Sequence, residues 1–78
     1  MIKVLFFAHL REKAGTEELT LTDKSGINVK DLKDWLMNNY DLPQLNQIMT
    51  AINEEFVTDE EIVNDGDTIA FIPPVSGG

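Results

Sequence analysis

The sequence has 78 residues, 42% of them apolar, and no cysteine. That leaves room for one compact core and excludes a second domain, a deep catalytic cleft, disulfides, zinc-thiolate sites and thiol catalysis. The net charge is −8 and unevenly spread, with six bases and five acids in residues 1–33 and nine acids and no base in residues 34–78, so the surface repels phosphate: neither nucleic acid nor an anionic membrane is an expected partner, whereas a protein with a basic groove is.

In chain order, Ile2-Lys3-Val4-Leu5-Phe6-Phe7-Ala8 is rich in β-formers and predicts a strand. Lys3 marks one face as open to water, which turns Ile2, Val4 and Phe6 to the core and leaves Leu5 and Phe7 outside. His9 to Thr16, with Gly15 as breaker, is expected to be a hairpin loop. Glu18 to Thr22 alternates polar and apolar and predicts a half-buried strand. After a turn at Asp23–Gly26, Asn28 is positioned to cap a helix, with Asp31 three residues on and Ile27 and Leu32 at staple spacing. Val29, Leu32, Trp35, Leu36 and Tyr40 recur at helical spacing and form one apolar stripe, which places Trp35 in the core. Asn38-Asn39 and Pro43 are expected to end the helix. Leu42, Leu45, Ile48 and Met49 share a face of a shorter helical turn.

Short strands follow: Ala51-Ile52, a tight turn at Asn53-Glu54-Glu55, then Phe56-Val57. Asp65-Gly66-Asp67 is a turn signal, and Thr68 to Ile72 is the nearly continuous apolar run of a strand in the middle of a sheet. Strand, strand, helix, short strands, strand is an α+β order. A right-handed crossover then sets the last strand beside the first and parallel to it, in a mixed sheet wrapped on one main helix. This is the β-grasp, or ubiquitin-like, architecture, with residues 1–72 as the domain and 73–78 as an extended tail.

Enzyme chemistry finds little material. His9 is the only histidine and is read as an ordinary loop residue. The acids Asp59, Glu60, Glu61, Asp65 and Asp67 lack the alternating spacing and terminal bidentate glutamate of a calcium loop and are read as a solvated surface, so no metal site is expected. The end of the sequence is different. Pro73-Pro74 is stiff and extended, Val75 is a candidate anchor, Ser76 follows, and Gly77 and Gly78 have no side chains to obstruct a narrow passage. Six extended residues reach roughly 20 Å, and none after Asp67 is charged. If Phe6 and Phe71 face the helix, Phe7 and Ile72 lie on the opposite face, where Leu5 and Phe56 extend an apolar patch suited to docking.

The opening Ile2–Ala8, the following Arg11-Glu12, and the ending from Asp65-Gly66-Asp67 through Phe71-Ile72-Pro73-Pro74-Val75-Ser76-Gly77-Gly78 together resemble the small-subunit family of molybdopterin synthase, the sulfur carriers of molybdenum cofactor biosynthesis. The resemblance implies that an activating enzyme uses ATP to adenylate Gly78, and that a sulfur donor then converts it to a thiocarboxylate (1-thioglycine). It further implies that Pro73, Pro74, Val75, Ser76 and Gly77 thread a channel of the large subunit, where sulfur passes to precursor Z, cyclic pyranopterin monophosphate, to build the dithiolene. Phe7, Phe56 and Ile72 would contact the large subunit and the activating enzyme, and the synthase would be a heterotetramer of two small and two large subunits. No cofactor is bound permanently; the catalytic groups belong to the large subunit. A carrier of the thiamine or another sulfur pathway, and a ubiquitin-like module that only binds or is conjugated, are the competing readings. The start Met1-Ile2-Lys3-Val4 has no secretory-signal features and no apolar run approaches the roughly 20 residues that span a bilayer, so the expected location is the cytoplasm.

Overall fold

The computed structural model describes residues 1–40, 42 and 45–73. Its elements are β1 (Ile2–Phe6), α1 (His9–Ala14), β2 (Glu18–Leu21), β3 (Ile27–Asn28), α2 (Val29–Tyr40), a 3-10 turn (Leu45–Gln47), β4 (Met49–Ile52), β5 (Glu55–Val57), β6 (Ile62–Val63) and β7 (Thr68–Ile72). Five strands form one sheet in the order β2-β1-β7-β4-β5, and β3 and β6 pair separately. β7 is therefore the middle strand, parallel to β1 and antiparallel to β4, as the apolar run and the β-grasp order require.

Alternation decides which face is which. Ile2, Val4 and Phe6 of β1 and Ile69 and Phe71 of β7 are buried with Val29, Leu32 and Leu36 of α2 in a single cluster. Phe6 and Phe71 are register partners, and their rings stack at a centroid distance of 6.3 Å. Opposite partners in a sheet are the unit of its stabilisation, and this pair joins the first strand to the last.

The N-terminus of α2 is fully tied. The Asp31 N–H donates to Asn28 Oδ1 at 2.7 Å, the capping bond the sequence predicts. The N–H groups of Val29 and Lys30 donate to the carbonyls of Glu61 and Asp59 at 2.9 and 3.0 Å, so the loop after β5 supplies the remaining acceptors. Lys33 is buried on this helix, and its Nζ donates to Asp59 Oδ1 at 2.8 Å. Asp59 is thus a structural counter-ion to a buried cation and not merely part of a solvated acidic surface.

Two expectations are corrected, at the first helix and at Trp35. Residues His9–Ala14 form a helix, not a hairpin loop: Leu10 and Ala14, four apart, both pack on the core, and Gly15 closes the helix in the left-handed conformation, φ +77°, with its N–H on the Arg11 carbonyl. Helix α2 ends at Tyr40, the last residue of the expected stripe; Asn39 Nδ2 donates to the Trp35 carbonyl at 2.7 Å and Tyr40 packs on the Trp35 ring. Trp35 itself is only half-buried, at the margin of the core, with Lys24 Nζ 4.8 Å over its ring. Pro43 lies outside the described residues.

Thr50 points into the core from β4, and its Oγ1 is the buried side-chain polar atom without a hydrogen-bond partner among the described residues. An unpaired buried hydroxyl is a net cost. Thr50→Val keeps the shape, removes the hydroxyl and is expected to raise unfolding stability by about 1 kcal/mol, read as a higher urea midpoint at unchanged slope.

Candidate functional site: the open face of the sheet

The face of the sheet away from α2 is built by the same register that builds the core. Glu18, Leu5, Ala70, Ala51 and Phe56 are successive partners across β2, β1, β7, β4 and β5, and form one row spanning all five strands. Phe7, Ile72 and Met49 lie beside this row, each two residues along the chain from Leu5, Ala70 and Ala51, with Met49 directly opposite Ile72. Two alanines in the centre and large apolar side chains around them leave an open groove of about 630 Å³, lined by Leu5, Phe7, Ala51, Phe56, Ala70 and Ile72 among others.

The three aromatic and aliphatic residues singled out for docking are brought together here. Phe56 is 64% exposed, Phe7 46%, and Ile72 is half-buried; none of the three belongs to the core cluster. Sequence reasoning missed Met49, which was expected on a helical face with Leu42, Leu45 and Ile48. Those three are buried, but Met49 opens β4 and is 54% exposed on the groove side. The signal that would have placed it is alternation with Ala51. Solvent contact for several large apolar groups on one small face is uncommon without a partner.

Charged side chains rim the groove. Arg11 and Glu17, with nitrogen and oxygen 3.6 Å apart, stand with Glu18 beside Leu5 and Phe7. On the β5 side the rim is Asn53 and Glu54, the two-residue turn between β4 and β5. Both have positive φ, +51° and +72°, the backbone of a tight hairpin turn for which asparagine is well suited. Asn53 also reaches sideways. Its N–H donates to the Thr68 carbonyl at 2.8 Å, its Oδ1 accepts from the Thr68 N–H at 3.0 Å, and its Nδ2 donates to Asp67 Oδ1 at 2.9 Å. The second carboxylate oxygen of Asp67 accepts the Asn64 N–H at 2.9 Å.

The chain leaves the sheet at the other end of β7. Pro73, placed above with the tail, is buried, so any reach toward a partner is left to the residues after it. The tail positions Pro74, Val75, Ser76, Gly77 and Gly78 lie outside the described residues. Among the described residues no cluster of three metal-ligating side chains occurs, and no helix is long and apolar enough to cross a membrane.

Residues 4–78 match the ThiS family. A molybdopterin synthase sulfur carrier subunit from Arabidopsis thaliana is 42% identical over 81 residues, covering 99% of this chain and 82% of that one. The protein of the same name from Escherichia coli K12 is 37% identical over 82 residues and is covered completely, as is this chain. Among solved structures, small archaeal modifier protein 1 from Methanosarcina acetivorans superposes with a TM-score of 0.77 at 32% identity, over 99% of this chain and 95% of that one.

The bonds made by Asp67 make stability depend on acid. The Asn64 N–H first, and the Asn53 amide second, hold the Asp67 carboxyl below its ordinary value of 3.8, against a small opposing effect of burial. The unfolded chain therefore takes up this proton first. The stabilisation is complete above 3.8 and is lost as pH falls through the lower folded value. In urea titrations across that acid range, wild type is expected to lose stability that Asp67→Asn never had, so the two curves converge as the pH drops. Parallel curves would show that Asp67 does not carry the effect.

Proposed function

The chain belongs to the ThiS family, and on that premise we propose that it carries sulfur as the small subunit of a molybdopterin synthase. The reading is carried by similarity over essentially the full chain to relatives bearing the name molybdopterin synthase sulfur carrier subunit. Two physical features support it. The segment after Ile72 continues directly from the middle strand of the sheet, which is held on both sides, and an apolar face lies beside the point where it leaves.

The chemistry proposed for this chain is confined to one atom. A carboxylate is a poor acyl donor, because its charge is delocalised and oxide is a poor leaving group. Adenylation of Gly78 by an activating enzyme, with ATP as co-substrate and pyrophosphate released, turns the carboxylate into a mixed anhydride. Sulfur from a donor then displaces AMP and leaves a thiocarboxylate. In the large subunit, the thiocarboxylate sulfur bonds to precursor Z and water then cleaves the acyl–sulfur bond, so the sulfur stays on the precursor as the dithiolene is built and the carboxylate returns. Pro74 to Gly77 serve as the arm that enters the large subunit, and Phe7, Phe56 and Ile72 as the face that docks, in a complex of two small and two large subunits. Because the activating enzyme and the large subunit use the same end and face, their binding is mutually exclusive. The acidic second half of the chain speeds encounter with basic partners.

One observation favours a second reading. The fold is shared with a protein named as a modifier at 32% identity, so conjugation of the terminal glycine to another protein is the competing use of the same activated carbonyl. Intact mass of protein from its native cells separates the two. A shift equal to exchanging one oxygen for sulfur supports the carrier, and a product heavier by a whole second protein supports the modifier.

Deleting Gly78 is expected to leave the thermal transition unchanged and to abolish sulfur transfer; transfer by the shortened chain would exclude the tail mechanism. Phe7→Ala and Phe56→Ala are each expected to weaken large-subunit binding by about 1–2 kcal/mol or more. Their effect on stability should stay within about 0.5 kcal/mol, as for exposed positions elsewhere. Calorimetric titration and urea unfolding of the same variants check both halves, and the reverse ranking would return these side chains to the core.

A further inference from the structure

Asn53 occupies a position where a sheet ladder would ordinarily continue. The β4–β7 register runs Met49↔Ile72, Thr50↔Phe71, Ala51↔Ala70, Ile52↔Ile69, so the next pair in line is Asn53 and Thr68. In an antiparallel hydrogen-bonded pair, each residue gives its N–H to the carbonyl of the other. Half of that exchange is present, since the Asn53 N–H donates to the Thr68 carbonyl. The other half is not made by the backbone. With φ +51° the Asn53 backbone has already turned into the hairpin, and its side-chain Oδ1 takes the Thr68 N–H in place of the main-chain carbonyl. The amide nitrogen on the same side chain then reaches Asp67. One residue thus makes the turn and also seals the last rung of the ladder.

This matters for what the turn supports. β5 is an edge strand of three residues, bonded on one side to β4 alone. Phe56 stands on it, opposite Ala51, at one end of the row that crosses the sheet. β4 is laddered to β7 as far as Ile52, so beyond that rung the course of the turn into β5, which is bonded to β4 alone, depends on what holds the tip. The described structure supplies that hold at Asn53.

We propose that Asn53 is a positioning residue for partner docking: by clamping the β4–β5 turn to Thr68 and Asp67, it keeps Phe56 in the plane of the apolar face that receives the large subunit. The inference rests on the docking role given to that face above. Its effect runs through Phe56 and not through Phe7, which follows β1 on the other side of the groove and is not joined to the hairpin.

The test is a double-mutant cycle on the intact chain with purified large subunit. Asn53→Gly keeps the left-handed turn, which glycine adopts freely, and the backbone bond to Thr68, but removes both side-chain bonds of the clamp. It is expected to weaken binding by about fivefold or more, to add less than about twofold in a Phe56→Ala background, and to retain its full effect in a Phe7→Ala background. Equal losses in all three backgrounds would mean a general structural role and overturn the proposal, as would wild-type affinity in the single variant. A partner-free measurement stands beside it: the Thr68 amide is expected to exchange with solvent faster in Asn53→Gly than in wild type, and unchanged exchange would also overturn it. If Asn53→Gly folds poorly, Asp67→Ala removes the acceptor at the far end of the clamp and should give the same pattern more weakly. Should wild type bind the large subunit while Phe56→Ala costs nothing, the docking reading fails at Phe56 whatever Asn53 does, so the two failures are told apart.

Discussion

The parallel pairing of β1 with β7 is the constraint on which everything else depends. It joins residues more than sixty positions apart, and its inner rung is the stacked pair Phe6 and Phe71. Side chains in a strand alternate faces, so fixing that pair inside sends Leu5 and Ala70, and then Ile72, outside with no further choice. A slip of one residue would bury the side chains of the open face and expose the core. The face proposed to meet partners is therefore not an addition to the fold. It is the other side of the core, held in register by the same rungs.

That arrangement explains why the open face has small residues at its centre. Ala51 and Ala70 are cross-strand partners on the two inner strands, flanked by Leu5 on one side and Phe56 on the other. Large side chains at all four positions would fill the trough and present a convex surface. Two methyl groups leave a concave one, with bulk at its borders, into which a partner's apolar side chains can settle. The cost is exposed hydrocarbon in the free protein, and the −8 charge opposes the self-association that such exposure invites.

Where the sequence spoke clearly, it did so through period and turn chemistry. The alternation of β1, the buried run of β7, the Asn28 cap and the Asp65-Gly66-Asp67 turn each have a local cause, and all appear in the structure. The losses were equally physical. Helix α1 is six residues long, too short for a periodic signal, and was declared only by Leu10, Ala14 and the Gly15 cap. β3 and β6 are two residues each and exist because they find each other across the chain, which no local pattern reveals. Lys33 reads as a solvent-facing helix cation until Asp59, twenty-six positions later, arrives beside it. Met49 fitted a helical face as well as a strand, since four apolar residues at mixed spacing satisfy both periods. The open face was legible at Phe7, Phe56 and Ile72, because their inward neighbours were. Asn53 was legible only as a turn residue; its reach to Thr68 and Asp67 belongs to the assembled sheet.

A carrier that delivers an atom through its end must hold one end of the delivering strand still while leaving the other available. β7 is built that way. Where it begins, Thr68 is bonded to Asn53 through both backbone groups, and the preceding Asp67 is bonded to Asn53 and Asn64. Along its length it is flanked by β1 and β4, and its inward side chains sit in the core. Where it leaves, the last described residue, Pro73, is buried and cannot donate a backbone hydrogen bond. Fixity is thus concentrated at the start and middle of the strand. A pull on the chain beyond Pro73 would be met by the whole sheet rather than by one fraying edge, which is the resistance that the proposed docking on the open face requires.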